Sequence, residues 1–352
     1  MKTEIIQINA EEPEPEKVKR AAAILKAGGL VVIPTETVYG IAANMLNEKT
    51  IKRLYEVKQR PKDKPFSIHI ASKEEVERYA RDILPFAYRL IERFWPGPLT
   101  LVLKSKENGK VGLRMPNHKV ALSIIKEAVI PVVCPSANLS GNPACHTPNE
   151  VLKDLEGLVN LVVDAGRTPL GIESTIVDVT QLPMQILREG ALSKDKIEEV
   201  AGKKTILFVC TGNSCRSVMA KALLEKKLKE RGREDIEVIS AGTMMLGGLG
   251  ATNETRELLS QEGIDVANHH SQTVTKDMVK KSDIILIMER LHEERILKLF
   301  PEAKFRLFLL KEFAKIKDNN LDIADPIGKS MEFYTQTFGI IKEAIERVAQ
   351  II

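Results

Sequence analysis

Short apolar runs recur along the whole sequence, and the stretches between them have helical spacing. "LVVIP", "FSIHI", "LTLVL", "IPVVCPS" and "VNLVVDAG" fall in the first half; "TILFVC", "IEVISAG", "DIILIM" and "FRLFLL" follow in the second. Such runs, bounded by turn residues, read as buried strands. Between and after them the period changes: Phe338, Ile341, Ile345, Val348 and Ile352 mark one face of a helix. This alternation predicts α/β architecture in both halves. At 352 residues the chain exceeds the size of a single core, so two domains are expected. The seam falls in "EGALSKDKIEEVAGKK", residues 189–204, a short charged helix with Ser193 placed to cap it and Gly202 to stop it. The expected domains are residues 1–200 and 203–352.

Charge excludes one class of partner for the body of either half. Residues 1–202 carry 28 Lys/Arg against 26 Asp/Glu and residues 203–352 carry 24 against 22, so any polyanion site must be a local patch. Four cysteines are too few for a disulfide framework. The acidic start "MKTEIIQINAEEPEPEK" lacks the apolar stretch of a secretory signal, and no run approaches the ~20 apolar residues of a membrane helix. The expectation is a cytoplasmic protein with no membrane partner.

Chemistry is densest in "ILFVCTGNSCRS", residues 206–217. A strand over 205–209 and a helix from 217 to about 231, with Met219/Leu223 and Leu224/Leu228 as i,i+4 pairs, bracket the loop Cys210-Thr211-Gly212-Asn213-Ser214-Cys215-Arg216. Small residues at the start of a helix can turn successive backbone N–H groups onto one anion. That field favours the thiolate of Cys210, and the planar fork of Arg216 matches two phosphoryl oxygens. A cysteine ending a strand is more often a small buried hydrophobe. Zinc is disfavoured because no second Cys or Cys/His pair follows at ligand spacing.

The whole string decides between these readings. "VCTGNSCRS", with "SAG" at 240–242 and "DIADPIGKS" near the end, resembles the low-molecular-weight protein tyrosine phosphatase family over residues 204–352. The resemblance implies a four-stranded parallel sheet with helices on both faces. It makes Cys210 the nucleophile, Arg216 the transition-state clamp and Asp325 the general acid. It gives Asn213 the loop's strained turn and Ser217 a hydrogen bond to the thiolate, and makes Cys215 the position that can trap an oxidised nucleophile. Val218 stands where the family usually has proline. Thr211, and "DPIG" without aromatic neighbours, resemble the protein-arginine phosphatase branch, which implies phosphorylated proteins as partners and phosphoarginine in preference to phosphotyrosine. A hydroxyl at 211 could accept from a guanidinium N–H.

In the first half, Lys58, Arg60, Lys62 and Lys64 stand within seven residues, stiffened by Pro61 and Pro65. A solvated surface run is the plain reading; a stiff cationic loop between helix and strand also suits a polyphosphate. Ser136 and Asn138 leave a strand end, where α/β sheets bind ligands, although a turn would use the same residues. "PTETVYG", "KxR" as Lys58/Arg60, "WPGPLT", "RMP", "SxN" as Ser136/Asn138, "ESTI" and "LREG" occur in the order found in the YrdC-like threonylcarbamoyl-adenylate synthase family, and the first half resembles it over residues 5–192. The implied fold is a twisted α/β sheet domain. The implied reaction joins L-threonine, bicarbonate and ATP, with magnesium, into threonylcarbamoyl-AMP and diphosphate, for modification of tRNA adenosine together with the proteins that use the adenylate. By family position Lys58, Arg60, Lys64, Lys110, Asn138, Thr147 and Arg188 would bind ATP. Thr37, His69, Arg114, Ser136 and Ser174 would bind threonine. "NPACHTP" is one residue longer than the usual segment. An RNA-binding module without catalysis, fused to a tyrosine phosphatase, is the alternative reading of the same basic loop.

Overall fold

The computed structural model describes residues 2–244 and 247–352, and divides into two compact units, Met1–Val200 and Ala201–Ile352. Among the described residues the first unit holds one ten-stranded mixed sheet. From edge to edge its strands are Glu4–Gln7, Leu161–Asp164, Val31–Ile33, Gly40–Asn44, Val132–Val133, Ile68–His69, Lys110–Arg114, Leu99–Lys104, Thr175–Asp178 and Gln185–Arg188. The amphipathic helices Pro15–Lys26 and Lys119–Ala128 cover one face. Ala21, Ala22, Leu25, Ala121, Ile124 and Ala128 bury there against Val31, Ile33, Val132, Leu161 and Val163. Alanines at the contact let the helices approach the sheet closely.

Several of these strands lack a clear sequence signal. Gly40–Asn44 reads "GIAAN", in which only Ile41 is β-branched and the Gly, Ala and Asn are depleted in strands, yet all five residues are buried. Its glycine is required by packing, since a Cβ at Gly40 would lie 2.4 Å from Cys134 Sγ. Tertiary burial overrides local propensity there.

The second unit is a four-stranded parallel sheet in the order Ile236–Gly242, Lys204–Cys210, Ile284–Ile287, Leu307–Leu309. Alternation along the central strand explains why it is apolar throughout. Ile206, Phe208 and Cys210 face the helices Arg216–Glu230 and Met331–Ile351, while Leu207 and Val209 face the helices Lys276–Lys281 and Arg290–Leu299. The chain leaves the first strand to one side and later returns to the other. This reversal opens a crevice at the carboxyl ends of Lys204–Cys210 and Ile284–Ile287.

Candidate active sites

Cys210 ends its strand at that crevice. Its Sγ lies 3.0 Å from Ser217 Oγ and accepts the Asn213 N–H at 3.3 Å. Asn213 is the organising residue of the loop. It sits at φ +54°, a left-handed conformation that asparagine tolerates better than most side chains. Its Nδ2 donates to Ser217 Oγ (3.0 Å) and Ser240 Oγ (2.9 Å), and its Oδ1 accepts from the Gln272 N–H (3.0 Å). His269 Nε2 stands 2.7 Å from its carbonyl oxygen. Gly242 of "SAG" gives the loop room: a Cβ there would lie 2.7 Å from the Thr211 carbonyl oxygen.

Arg216, at the first turn of the next helix, is fully buried. One Nη donates to Glu289 and to the Ile323 carbonyl (2.7 Å); the other donates to Asp325 and to Thr211 Oγ1 (3.1 Å). Its Nε–H is buried without a protein acceptor. Thiol, guanidinium and carboxylate therefore converge on one loop. Cys215 lies apart from that group, its sulfur 3.4 Å from Tyr334 OH and 3.6 Å from Ser214 Oγ and Thr252 Oγ1. Glu289 and His292 are the residues that sequence reasoning missed. They form a reciprocal cap at the start of the helix Arg290–Leu299, and a capping pair directly after the strand "IILI" was the available signal.

In the first unit a cleft opens along the strand ends. Arg60, His69, Arg114, Ser136, Ser174 and Arg188 all line it. Strand register brings several together: His69 pairs with Arg114, and Gly40 bridges Ser136. Arg114 is buried and donates through Nη2 to Glu36 (2.7 Å) and Thr37 Oγ1 (2.8 Å), and through Nε to the Gly97 carbonyl (3.3 Å). Glu36 also accepts the Asn117 N–H (3.0 Å). Thr37 thus belongs to the site through Arg114. Ser174 Oγ lies 2.9 Å from Thr100 Oγ1, and Arg188 donates to the Ser174 carbonyl (2.8 Å) and pairs with Glu173 (2.8 Å). Arg60 donates to the Lys64 and Pro65 carbonyls and lies over the Phe66 ring. Burial, with the Arg114 charge beside it, holds His69 neutral, its pKa pushed down to about 3.

The remaining expected residues are not in the cleft wall. Lys58 is buried, and its ammonium donates to the Ser136 carbonyl (2.6 Å) and to Asn138 O and Oδ1 (2.9 Å to Oδ1). Burial and the nearby Arg60 lower its pKa to about 8. This lysine staples the end of the helix Glu48–Lys58 to the Ser136–Asn138 loop, where the sequence suggested a hand on phosphate. Asn138 donates onward to the Asn142 carbonyl (2.6 Å). Thr147 caps the helix Pro148–Leu155. Lys64 is exposed, and exposed Lys110 pairs with buried Asp178. Glu36, Thr100 and Glu173 stand inside the motifs "PTETVYG", "WPGPLT" and "ESTI", but the sequence did not single them out within those motifs.

Two family models match the chain. That described as Telomere recombination, the Sua5/YciO/YrdC family, covers residues 23–190, and that of the Low molecular weight phosphotyrosine protein phosphatases covers residues 205–352. A putative threonylcarbamoyl-AMP synthase of Methanocaldococcus jannaschii is 33% identical, matched over 56% of this chain and 98% of its own length. The protein-arginine-phosphatase of Geobacillus stearothermophilus is 39% identical over 145 residues, 41% of this chain and 93% of that protein. The chain belongs to both families, one in each half. Pyrococcus abyssi threonylcarbamoyl-AMP synthase is 42% identical over 225 residues, 61% of this chain and 66% of that protein. The crystal structure of P. abyssi Sua5 complexed with L-threonine matches with a TM-score of 0.55 at 30% identity, covering 87% of this chain and 99% of that one. The chain spans between about half and two thirds of the length of the first curated synthases it matches. Among the described residues no helix is long and apolar enough to cross a membrane.

Proposed function

We propose that this Sua5/YrdC–phosphatase chain is bifunctional: a threonylcarbamoyl-AMP synthase in the first unit and a cysteine-dependent phosphatase of phosphoproteins, with a preference for phosphoarginine, in the second. The synthase reading is supported by a single cleft walled by Arg60, Arg114 and Arg188. Arg114 holds the threonine carboxylate in that cleft, with neutral His69 and the Ser174 hydroxyl beside the amine and side chain. The amine adds to carbon dioxide released from bicarbonate, losing a proton to give a carbamate. A carbamate oxygen then attacks the α-phosphorus of ATP, the bond to the β-bridging oxygen breaks, and diphosphate leaves. Arg60 and Arg188 stabilise the charge that develops on the phosphates. Lys58 acts by positioning the Ser136–Asn138 loop. Magnesium would enter with the triphosphate that carries it. The adenylate would serve proteins that modify the adenosine beside the tRNA anticodon.

The phosphatase reading is supported by Cys210 accepting the Asn213 N–H and lying 3.0 Å from Ser217 Oγ, on the loop where Arg216 pairs with Asp325. The thiolate attacks phosphorus, the bond to the leaving group breaks, and Asp325 donates its proton to the departing nitrogen or oxygen. Asp325 then takes a proton from water, which cleaves the phosphocysteine and releases phosphate. A bound phosphoryl group takes the place of Asp325 on Arg216, which frees the acid for the leaving group. Preference for phosphoarginine follows the Geobacillus relative and the absence of aromatic residues in 325–330.

The test is direct. Purified full-length protein with ATP, threonine and bicarbonate should yield diphosphate and threonylcarbamoyl-AMP in equal amounts. On phosphorylated peptides kcat/KM should be higher for phosphoarginine than for phosphotyrosine. No adenylate refutes the first reading, and a phosphotyrosine preference refutes the substrate assignment while leaving the phosphatase chemistry standing.

A further inference from the structure

We infer that His292 is a positioning residue for the phosphatase site: it fixes the Thr211 hydroxyl as a hydrogen-bond donor, so that Thr211 reads a phosphoryl oxygen and not a leaving-group N–H. The inference rests on the phosphatase reading above and goes beyond it in assigning the recognition chemistry of one side chain.

The His292 side chain is wholly buried. Its Nδ1 accepts the Glu289 backbone N–H at 3.1 Å, so that nitrogen carries no proton. Burial and the adjacent Arg216 charge push its pKa down to about 4, which leaves the ring neutral near pH 7. The single ring proton is therefore on Nε2, and Nε2 lies 3.0 Å from Thr211 Oγ1. That oxygen also accepts from Arg216 at 3.1 Å. A hydroxyl oxygen has two lone pairs and one proton. Both lone pairs are used, and the proton is the one function left for a substrate.

A guanidinium leaving group offers planar N–H donors and no acceptor. Thr211 cannot accept from it, contrary to what the bare sequence suggested. The acceptors of a phosphorylated substrate that match a donor are its phosphoryl oxygens. Neutral His292 is suited to the task because its other nitrogen is locked by the helix cap, and the cap fixes which tautomer faces Thr211.

Inorganic phosphate is the discriminating probe, since it has phosphoryl oxygens and no leaving group. Its dissociation constant should be measured by calorimetry on the full-length wild type, Thr211→Val, His292→Leu, His292→Gln, His292→Glu and the double variant Thr211→Val/His292→Leu. Glutamine accepts the Glu289 N–H through Oε1, as in an ordinary capping box, and donates to Thr211 through Nε2. Glutamate keeps the cap but turns the Thr211 proton toward itself. Thr211→Val and His292→Leu should each weaken phosphate about tenfold, and the double variant no more than either single one. His292→Gln should stay within about twofold of wild type and His292→Glu should resemble the leucine variant. Hydrolysis of phosphoarginine and of an aryl phosphate should fall in parallel. Where His292→Leu does not fold, the Gln/Glu pair carries the comparison, as both keep the cap. Unchanged phosphate binding in His292→Glu, additive single effects, or loss confined to phosphoarginine overturns the inference. A wild type inert toward every phosphorylated substrate overturns instead the phosphatase reading beneath it.

Discussion

Eight consecutive residues, Cys210 to Ser217, supply the thiol, the loop and the guanidinium of the second unit's proposed site, whereas the first unit's cleft draws Arg60, His69, Arg114, Ser136, Ser174 and Arg188 from separate strands and loops. The loop needs few distant partners: Ser240, His269 and Gln272 hold Asn213, and Glu289 and Asp325 hold Arg216. The cleft exists only because strand register sets His69 against Arg114 and a buried lysine ties down the Ser136–Asn138 loop. A compact loop concentrates its chemistry in one place, so one substitution should silence it. A distributed cleft should lose activity in steps, and its scaffold residues should matter to stability as much as its lining does to rate.

The sharpest break between the two is Cys210→Ser. Loss of the thiolate should lower phosphatase kcat/KM by at least about a thousandfold while threonylcarbamoyl-AMP formation is unchanged. A parallel fall in the synthase rate would show that the two sites are not separable. Arg60→Ala should have a smaller and opposite pattern. Removing a charge-assisted contact to phosphate costs about 1.5–3 kcal/mol, or roughly ten- to a hundredfold in synthase rate, with phosphatase activity intact. Full synthase activity in that variant would remove Arg60 from the proposed site.

Lys58→Met tests the scaffold. It leaves the buried Asn138 carbonyl and side-chain oxygens without the lysine donor and the Ser136 carbonyl with the Asn138 N–H alone, at a cost of about 3 kcal/mol. Trp95, the single tryptophan and buried in the first unit, reports this as an earlier urea midpoint by fluorescence. A synthase defect with an unshifted midpoint would mean that Lys58 contacts substrate and is not chiefly a staple.

The smallest effect is one of pH. The pKa of His69 is about 3 in the folded protein, below its ordinary 6.5. Between those values the unfolded chain binds a proton that the folded chain does not, so stability falls as pH falls below 6.5 toward 3. Acidification from pH 7 to 5 should cost the first unit about 2 kcal/mol through this residue. The Trp95 midpoint should drop accordingly, and His69→Leu should flatten the response. An equal drop in the variant would place the titration elsewhere.

Motif order along the sequence led to both families, to the α/β class and to the residues of the phosphate loop. Local chemistry explains why: a strand, a loop of small polar residues and a helix start are written in adjacent positions, and backbone geometry converts that adjacency into an anion site. The same reasoning could assign Lys58 only a charge, and a charge does not say what it faces. The tertiary structure turned that ammonium inward onto three oxygens, and made a strand of "GIAAN" because its place between Val31–Ile33 and Val132–Val133 buries it. It likewise supplied Glu36 to Arg114 and His292 to Thr211, partners separated by 78 and 81 positions. A sequence determines which groups are available and their local spacing. Which lone pair meets which proton is decided by long-range packing, because hydrogen bonds are directional and each donor or acceptor can be used only as often as its geometry allows.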